Sequence, residues 1–194
     1  MDEETPLEER LKEGDQDAWR SVLTENGPAL LGYARRLVGD DAHAEEVVQE
    51  ALVAVFRSIG SFEGRGSFRG FLFRSVHNKA IDELRSRKRY VEAEPGDPDH
   101  GCFGPDGHWE RPCPNWEDIL GDRLDARSLL PVVREQLDRL PHAHREVLLL
   151  KEVHGLSTED ICDALDISAG NLRIRLHRAR KELRAAVGRK IEEA

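Results

Sequence analysis

Arg173, His177, Arg180 and Arg184 recur at intervals of 4, 3 and 4 near the C-terminal end of the chain, so a helix would carry them along one side. Arginines in such a row can hold phosphate oxygens, and one that reaches the floor of a DNA groove can grip guanine O6 and N7 at two points. A second basic group, including Arg65, Arg69, Arg74, Arg85 and Lys88, is interleaved with Phe62, Phe68, Phe71 and Phe73. Cations beside aromatic faces suit the unstacked bases of a single strand. The same phenylalanines also suit a core, and taken alone that is the more ordinary use of Phe. A third group, His100, Cys102, His108 and Cys113, places four potential zinc ligands within 14 residues. It lacks the paired Cys-x-x-Cys knuckle of common structural zinc sites, and no cofactor is assigned to it. Hydrolysis at a zinc held by His100 and His108 would need a structured pocket and an evident base. Neither is legible, so no catalytic residue is assigned and the chain is read as a non-enzyme.

The elements that must position these groups read as helices. Leu, Ala, Glu and Arg dominate the 194 residues and no run of alternating β-branched residues appears, which predicts an all-α protein. Apolar residues keep helical spacing from Leu7 to about Ile59, as in Val48, Leu52, Val55 and Ile59, with Val47 and Ala51 widening the stripe. Glu46, Gln49 and Glu50 fall on the opposite face. The stretch "GSFEGRGSFRG", Gly60 to Gly70, holds four glycines and reads as a loop. It lacks the Gly-Lys-Ser/Thr ending of a phosphate-binding P-loop. A second long helix is predicted through Phe68, Leu72, Val76 and Ala80, ending in the basic run Arg85 to Arg89.

Five prolines between 92 and 115 mark a linker. The predicted organisation is two small helical domains, 1–91 and 126–194, joined by the acidic Pro/Gly-rich segment 92–125. In the second, Pro141 fits the start of a helix and Gly155 its end. Ser157 can cap a short helix bearing Ile161 and Leu165; a tight "DIS" turn follows; Ser168 can cap a last helix that buries Leu172, Leu176, Ala179 and Leu183. Two short helices, a turn of three or four residues and an exposed basic second helix are the pattern of a helix-turn-helix.

Net charge conceals this layout. The chain carries -9 in all, yet residues 65–90 hold 8 basic against 2 acidic side chains and 170–194 hold 8 against 3. Two local positive fields can attract phosphates while the acidic remainder discourages indiscriminate nucleic-acid binding. No run of apolar residues is long enough for a membrane span, and "MDEETPLEER" lacks the regions of a signal peptide. The chain is expected to be cytoplasmic, without membrane insertion of its own and without a sensory domain beyond residue 194. Cys102, Cys113 and Cys162 are too few and too irregular for a secreted disulfide framework.

Three ordered segments resemble the extracytoplasmic-function (ECF) group of sigma-70-type RNA polymerase sigma factors. "DDAHAEEVVQEALVAVFRSI", Asp40 to Ile59, is similar to region 2.2; "SFRGFLFRSVHNKAIDELRSRKR", Ser67 to Arg89, to regions 2.3 and 2.4; and Leu140 to Arg184 to region 4. The resemblance implies that Asp41, Glu46, Gln49 and Glu50 dock on the clamp helices of core RNA polymerase. It implies that the loop from Ser61 to Arg69, with Phe62, Arg65 and Ser67, receives a base flipped from the -10 promoter element, while Asn78, Asp82, Arg85 and Lys88 line the melted strand. Ser168, Asn171, Arg173, Arg175, Arg178 and Lys181 would meet the -35 element as duplex DNA. An anti-sigma factor is an implied further partner; Trp109 and Trp116 of the linker are candidate anchors for polymerase or for an anti-sigma protein, and packing against either domain is an equal alternative. Phe71 stands where many relatives carry Trp, Ile174 where a small or polar residue is common, and Cys162 in place of a common Ala, expected in the core. A free helix-turn-helix regulator would explain the C-terminal half, but it would leave "EEVVQEA" and the first basic helix without a role.

Overall fold

A computed structural model describes residues 6–64, 66–87 and 126–192, with side chains in the last stretch from 131 to 189. The regular secondary structure of the described residues is all helical, with no strand among them. They form α1 (Leu7–Lys12), α2 (Gln16–Val38), α3 (Asp41–Ser58), a 3-10 turn (Ile59–Ser61), α4 (Phe68–Ser86), α5 (Ala126–Arg139), α6 (His142–Leu148), a π turn (Leu149–Val153), α7 (Thr158–Leu165) and α8 (Ala169–Glu192). Arg65, Lys88 and the linker candidates His100, Cys102, His108, Trp109, Cys113 and Trp116 lie outside the described residues.

Helix ends follow local chemistry. Asp15 caps α2 by accepting from Asp17 N and Ala18 N, and these bonds, with the Arg10 pair, hold its carboxyl below the usual 3.8. Gly39 ends α2 in the left-handed region at φ 76°. Asp40 caps α3 through His43 N, and Ser67 caps α4 through Gly70 N. Ser157 caps α7 through Asp160 N, as its position in the sequence predicts. The three residues after α7 turn on Asp166, at φ 52°. Asp is one of the few side chains that tolerates this conformation without a glycine.

Two compact units emerge. The first gathers the described residues up to 87 together with 149–169; the second gathers 126–148 with 170–192. Residues 149–169, including the whole of α7, thus pack with the N-terminal bundle, a placement that no local pattern announces. In the first unit α2, α3 and α4 bury Val22, Leu30, Tyr33, Val47, Ala51, Val55, Leu72, Phe73, Val76 and Ala80. Phe73 is fully buried, and removing such a ring costs about 3–5 kcal/mol. The second unit closes around Leu137, Leu140, Val147, Leu172, Ala179, Leu183 and Val187. Leu176 is only half-buried. His144 Nδ1 meets Glu182 Oε2 at 3.0 Å across this unit.

The expected Gly60–Gly70 loop is shorter than its glycines suggest. Gly64 and Gly66 use positive φ, at 74° and 70°, but Gly70 lies within the first turn of α4. Its missing side chain is required for another reason. A Cβ there would stand 2.6 Å from Asp160 Cγ and 2.8 Å from Asp160 Cβ, so close approach of α7 selects glycine.

His154 anchors the same segment. Its ring packs 4.8 Å from the Phe73 ring and 5.8 Å from Tyr33, whose hydroxyl meets His77 Nδ1 at 3.2 Å. Burial first, then the positive charges of Arg69 and Arg36, push the His154 pKa down to about 4. The imidazole is therefore neutral in the fold, whereas in an unfolded chain it titrates near its ordinary 6.5. The sign follows: its contribution is complete above about pH 6.5 and is lost as pH falls toward 4, by up to roughly 3 kcal/mol. Thermal melts between pH 7.5 and 4.5 should show a steeper fall in Tm for the wild type than for His154→Leu; parallel curves would remove His154 as the titrating group.

Candidate functional site

Helix α3 separates its functions by face. Val47, Val48, Ala51 and Val55 point into the bundle, which leaves Glu46, Gln49 and Glu50 exposed. Glu46 and Gln49 have no hydrogen bond or ion pair among the described residues, while Glu50 meets Lys79 Nζ of α4 at 3.3 Å. Asp41, in the first turn, is paired with Arg35 Nε at 3.0 Å. The four residues named from the sequence are thus all exposed on α3, with Asp41 and Glu50 partly neutralised by Arg35 and Lys79.

An apolar groove adjoins this surface and was not among the sequence-based expectations. Leu23 of α2 and Val53 and Phe56 of α3 are exposed large hydrophobics, and with Trp19, Leu52 and Gln49 they line one depression. Trp19 is fixed there by a bond from its Nε1 to Leu11 O at 3.2 Å and by the Phe56 ring at 5.2 Å. The signal was present in the spacing: Gln49, Val53 and Phe56 step by 4 and 3 along the outward face of α3. Charged neighbours masked it.

The loop leading into α4 is built on aromatic packing. Phe62, 7% exposed, stacks 5.2 Å from Phe71 and 5.8 Å from Phe68, and Phe68 reaches Trp19 at 6.5 Å. Of the four phenylalanines weighed between core and base stacking, Phe62, Phe68 and Phe73 are core and Phe71 is half-buried. The loop consequently shows solvent its backbone and polar groups rather than the Phe62 ring. Ser61 is exposed and donates from Oγ to Ser58 O at 2.7 Å. Arg69 is exposed, with its guanidinium 5.8 Å from the centre of the Phe73 ring, a cation-π placement that steadies the head of α4. Asn78, Asp82 and Arg85 are exposed on successive turns of α4, opposite the buried Val76, Ala80 and Leu84. They form one exposed row along the helix.

Ser67 is more constrained than a free loop hydroxyl. Its Oγ accepts from Gly70 N at 2.9 Å and donates to Asp160 Oδ2 at 2.8 Å, while its backbone N donates to Asp160 Oδ1 at 2.8 Å. Burial would raise the Asp160 pKa, but these bonds and those of Ser157 outweigh it and hold the carboxyl below 3.8. Asp160, Gly70 and His154 were not singled out from the sequence.

Along α8 the buried Leu172, Ala179 and Leu183 fix the orientation. Arg178 and Lys181, with the exposed Ile174, lie opposite that stripe; Ser168, Asn171 and Arg175 flank it on one side and Arg173, His177, Arg180 and Arg184 on the other. The six residues expected to meet duplex DNA therefore spread over more than half the helix circumference. Cys162 is half-buried rather than core, and burial followed by the neighbouring Asp163 charge pushes its thiol up. No group of three or more metal-ligating side chains occurs among the described residues.

Two family models match separate stretches of the chain, the second of which spans residues of both compact units. Residues 22–90 match the family described as Sigma-70 region 2, and residues 131–183 match Sigma-70, region 4. The RNA polymerase sigma factor CarQ of Myxococcus xanthus is 32% identical over 93% of this chain and 95% of its own length. The ECF RNA polymerase sigma factor ShbA of Streptomyces griseus is 32% identical over 92% of each chain. Among solved structures, CnrH in complex with the cytosolic domain of CnrY aligns with a TM-score of 0.62 at 25% identity, covering 92% of this chain and 93% of that one. The sigma factor RpoE of Bartonella quintana, in complex with the anti-sigma factor NepR, shares the fold, with a TM-score of 0.61 at 21% identity over 87% of this chain and 96% of that one.

Proposed function

Because the chain belongs to the ECF group of sigma-70-type RNA polymerase sigma factors, we propose that its surfaces divide the work of an alternative sigma factor: binding core RNA polymerase, recognising a promoter at -10 and -35, and helping to melt the -10 DNA. The observation that carries this reading is the ordered presence of a region 2 match and a region 4 match in one chain, with relatives aligned over nearly their whole length. The protein catalyses no reaction itself. It acts in the cytoplasm, where polymerase and DNA are; no helix among the described residues is long and apolar enough to cross a membrane. Two structural neighbours are held by partner proteins, one a CnrY domain and one an anti-sigma factor. An anti-sigma partner for this chain is part of the same proposal.

Residues 1–91 supply polymerase docking through Asp41, Glu46, Gln49 and Glu50. They also supply -10 contacts through Ser61, Phe62, Arg65, Ser67, Arg69, Asn78, Asp82, Arg85 and Lys88. Exposure of the acidic face and of the Asn78, Asp82 and Arg85 row supports those assignments. Burial of Phe62 means that a flipped base would meet the loop's polar rim unless the ring turns out. Residues 126–194 supply -35 contacts through Ser168, Asn171, Arg173, Arg175, Arg178 and Lys181, with Arg side chains suited both to phosphates and to guanine edges.

Co-elution of the purified chain with core RNA polymerase on a sizing column tests the reading; a folded chain that never associates overturns it. Reversing charge at Glu46 and Glu50 together should weaken that association at least tenfold while leaving Tm nearly unchanged, since both side chains are solvated and the Glu50–Lys79 pair contributes only about 0.2–1 kcal/mol. Arg173→Ala should cost about 1–3 kcal/mol at a single -35 base pair if it makes a two-point base contact. A uniform loss over all -35 sequences in a binding titration would assign Arg173 to phosphate instead.

A further inference from the structure

Ile174 of α8 is 41% exposed and stands apart from the other exposed hydrophobics of the described residues. Leu23, Val53 and Phe56 gather in the groove of α2 and α3, where each has apolar neighbours. Ile174 has basic neighbours instead. Arg173 and Arg175 precede and follow it, and His177, Arg178 and Lys181 lie 3, 4 and 7 positions further along. The buried stripe of Leu172, Ala179, Leu183 and Val187 fixes its direction. At about 100° per residue, Ile174 lies roughly 200° around the helix from Leu172 and roughly 180° from Leu183. It therefore points away from the core of its own unit, with Arg178 one turn along and Lys181 two turns along on the same side. A single exposed apolar side chain is ordinary on a protein surface. On a face whose charges attract a phosphate polymer, it is also placed to touch whatever apolar group that polymer presents.

The largest apolar feature on the floor of the major groove is the 5-methyl group of thymine; the other edges there are donors and acceptors. We propose that Ile174 is a specificity-determining residue of α8 that reads a thymine of the duplex -35 element through its 5-methyl group. The inference rests on the sigma-factor reading for the identity of the duplex and deepens it by one base pair. Basic side chains on either side of Ile174 suit the O4 acceptor that thymine carries beside its methyl group, and they offer no acceptor to the N4 amino group of a cytosine. Cytosine in that place would lose the methyl contact and bury an unsatisfied donor against the isoleucine. Deoxyuridine is the cleaner probe, because it keeps every hydrogen-bonding group of thymine and lacks the methyl alone. The contact it forfeits is worth about fourfold in affinity, the value of burying one methyl group. Arg178 and Lys181 have the complementary task of holding phosphates and setting register, which carries no sequence preference of its own.

The experiment uses the full chain assembled with core RNA polymerase and a randomised duplex library, amplified once with dTTP and once with dUTP, so that the two pools differ only in methyl groups. The wild type should enrich a thymine at one position of the -35 element in the first pool and lose that preference in the second. In competition binding with the selected duplex, deoxyuridine at that position should weaken binding about fourfold. Ile174→Ala should bring the ratio of the two affinities to about one, while Ile174→Val, which keeps both branches at Cβ, should hold it at about twofold or more. Lys181→Ala should weaken both duplexes equally and leave the ratio at about fourfold, as loss of a phosphate contact does. The Tm of Ile174→Ala should match the wild type, because the side chain is exposed. A methyl preference that survives Ile174→Ala, or a selected promoter with no thymine whose methyl matters, overturns the assignment of Ile174 and leaves the sigma-factor reading standing. A chain that enriches no sequence from either pool with core polymerase overturns both.

Discussion

The hydroxyl of Ser67 is the smallest group on which the largest consequences of this structure depend. As an acceptor it satisfies Gly70 N and starts α4; as a donor it satisfies Asp160 and ties α7 to the same point. A hydroxyl has one proton to give and two lone pairs to offer, so both roles fit one atom without conflict. The backbone N of Ser67 completes a two-point grip on the carboxylate. Such charge-assisted bonds are about twice as strong as neutral ones, which explains how a carboxyl only 7% exposed stays ionised although burial opposes it.

The surrounding packing makes this junction rigid. Phe62, Phe68 and Phe71 contact one another beneath the loop, Trp19 joins them from α2, and Phe73 one turn along meets Tyr33 and His154. Aromatic contacts of this kind fix orientation as well as burying area. The loop between the 3-10 turn and α4 is therefore mounted on a stiff base, and its two left-handed glycines let the backbone turn sharply above it. A loop proposed to receive a nucleic-acid base benefits from such a mount, because ordering a loose loop at the moment of binding would consume part of the interaction energy.

Electrostatics divides the molecule into surfaces of opposite preference. The outward face of α3 is acidic and borders an apolar groove, a combination suited to a protein partner with basic and apolar groups side by side. The exposed sides of α4 and α8 carry the arginines. A global charge of -9 disfavours indiscriminate binding of phosphate polymers, and the two basic stretches act only over a Debye length or so. An alternative sigma factor has reason to be built this way, since its DNA contacts are useful chiefly when polymerase is present.

How much of this was legible depends on the range of the interaction responsible. Helix content, the cap at Ser157, the turn at Asp166 and the split of α3 into buried and acidic faces are local, set by residues within about four positions of one another, and the sequence alone determined them. The ordered motifs likewise identified the family. Tertiary structure alone decided that Phe62 is covered, that Leu23, Val53 and Phe56 line a groove, and that Gly70 is a contact residue inside a helix rather than part of a loop. It also decided that Asp160 reaches Ser67 across 93 positions of chain. No periodicity encodes a pairing at that separation. Glycine, aspartate and serine each have an adequate local use where they stand, and only the approach of two helix backbones shows that the three were chosen together.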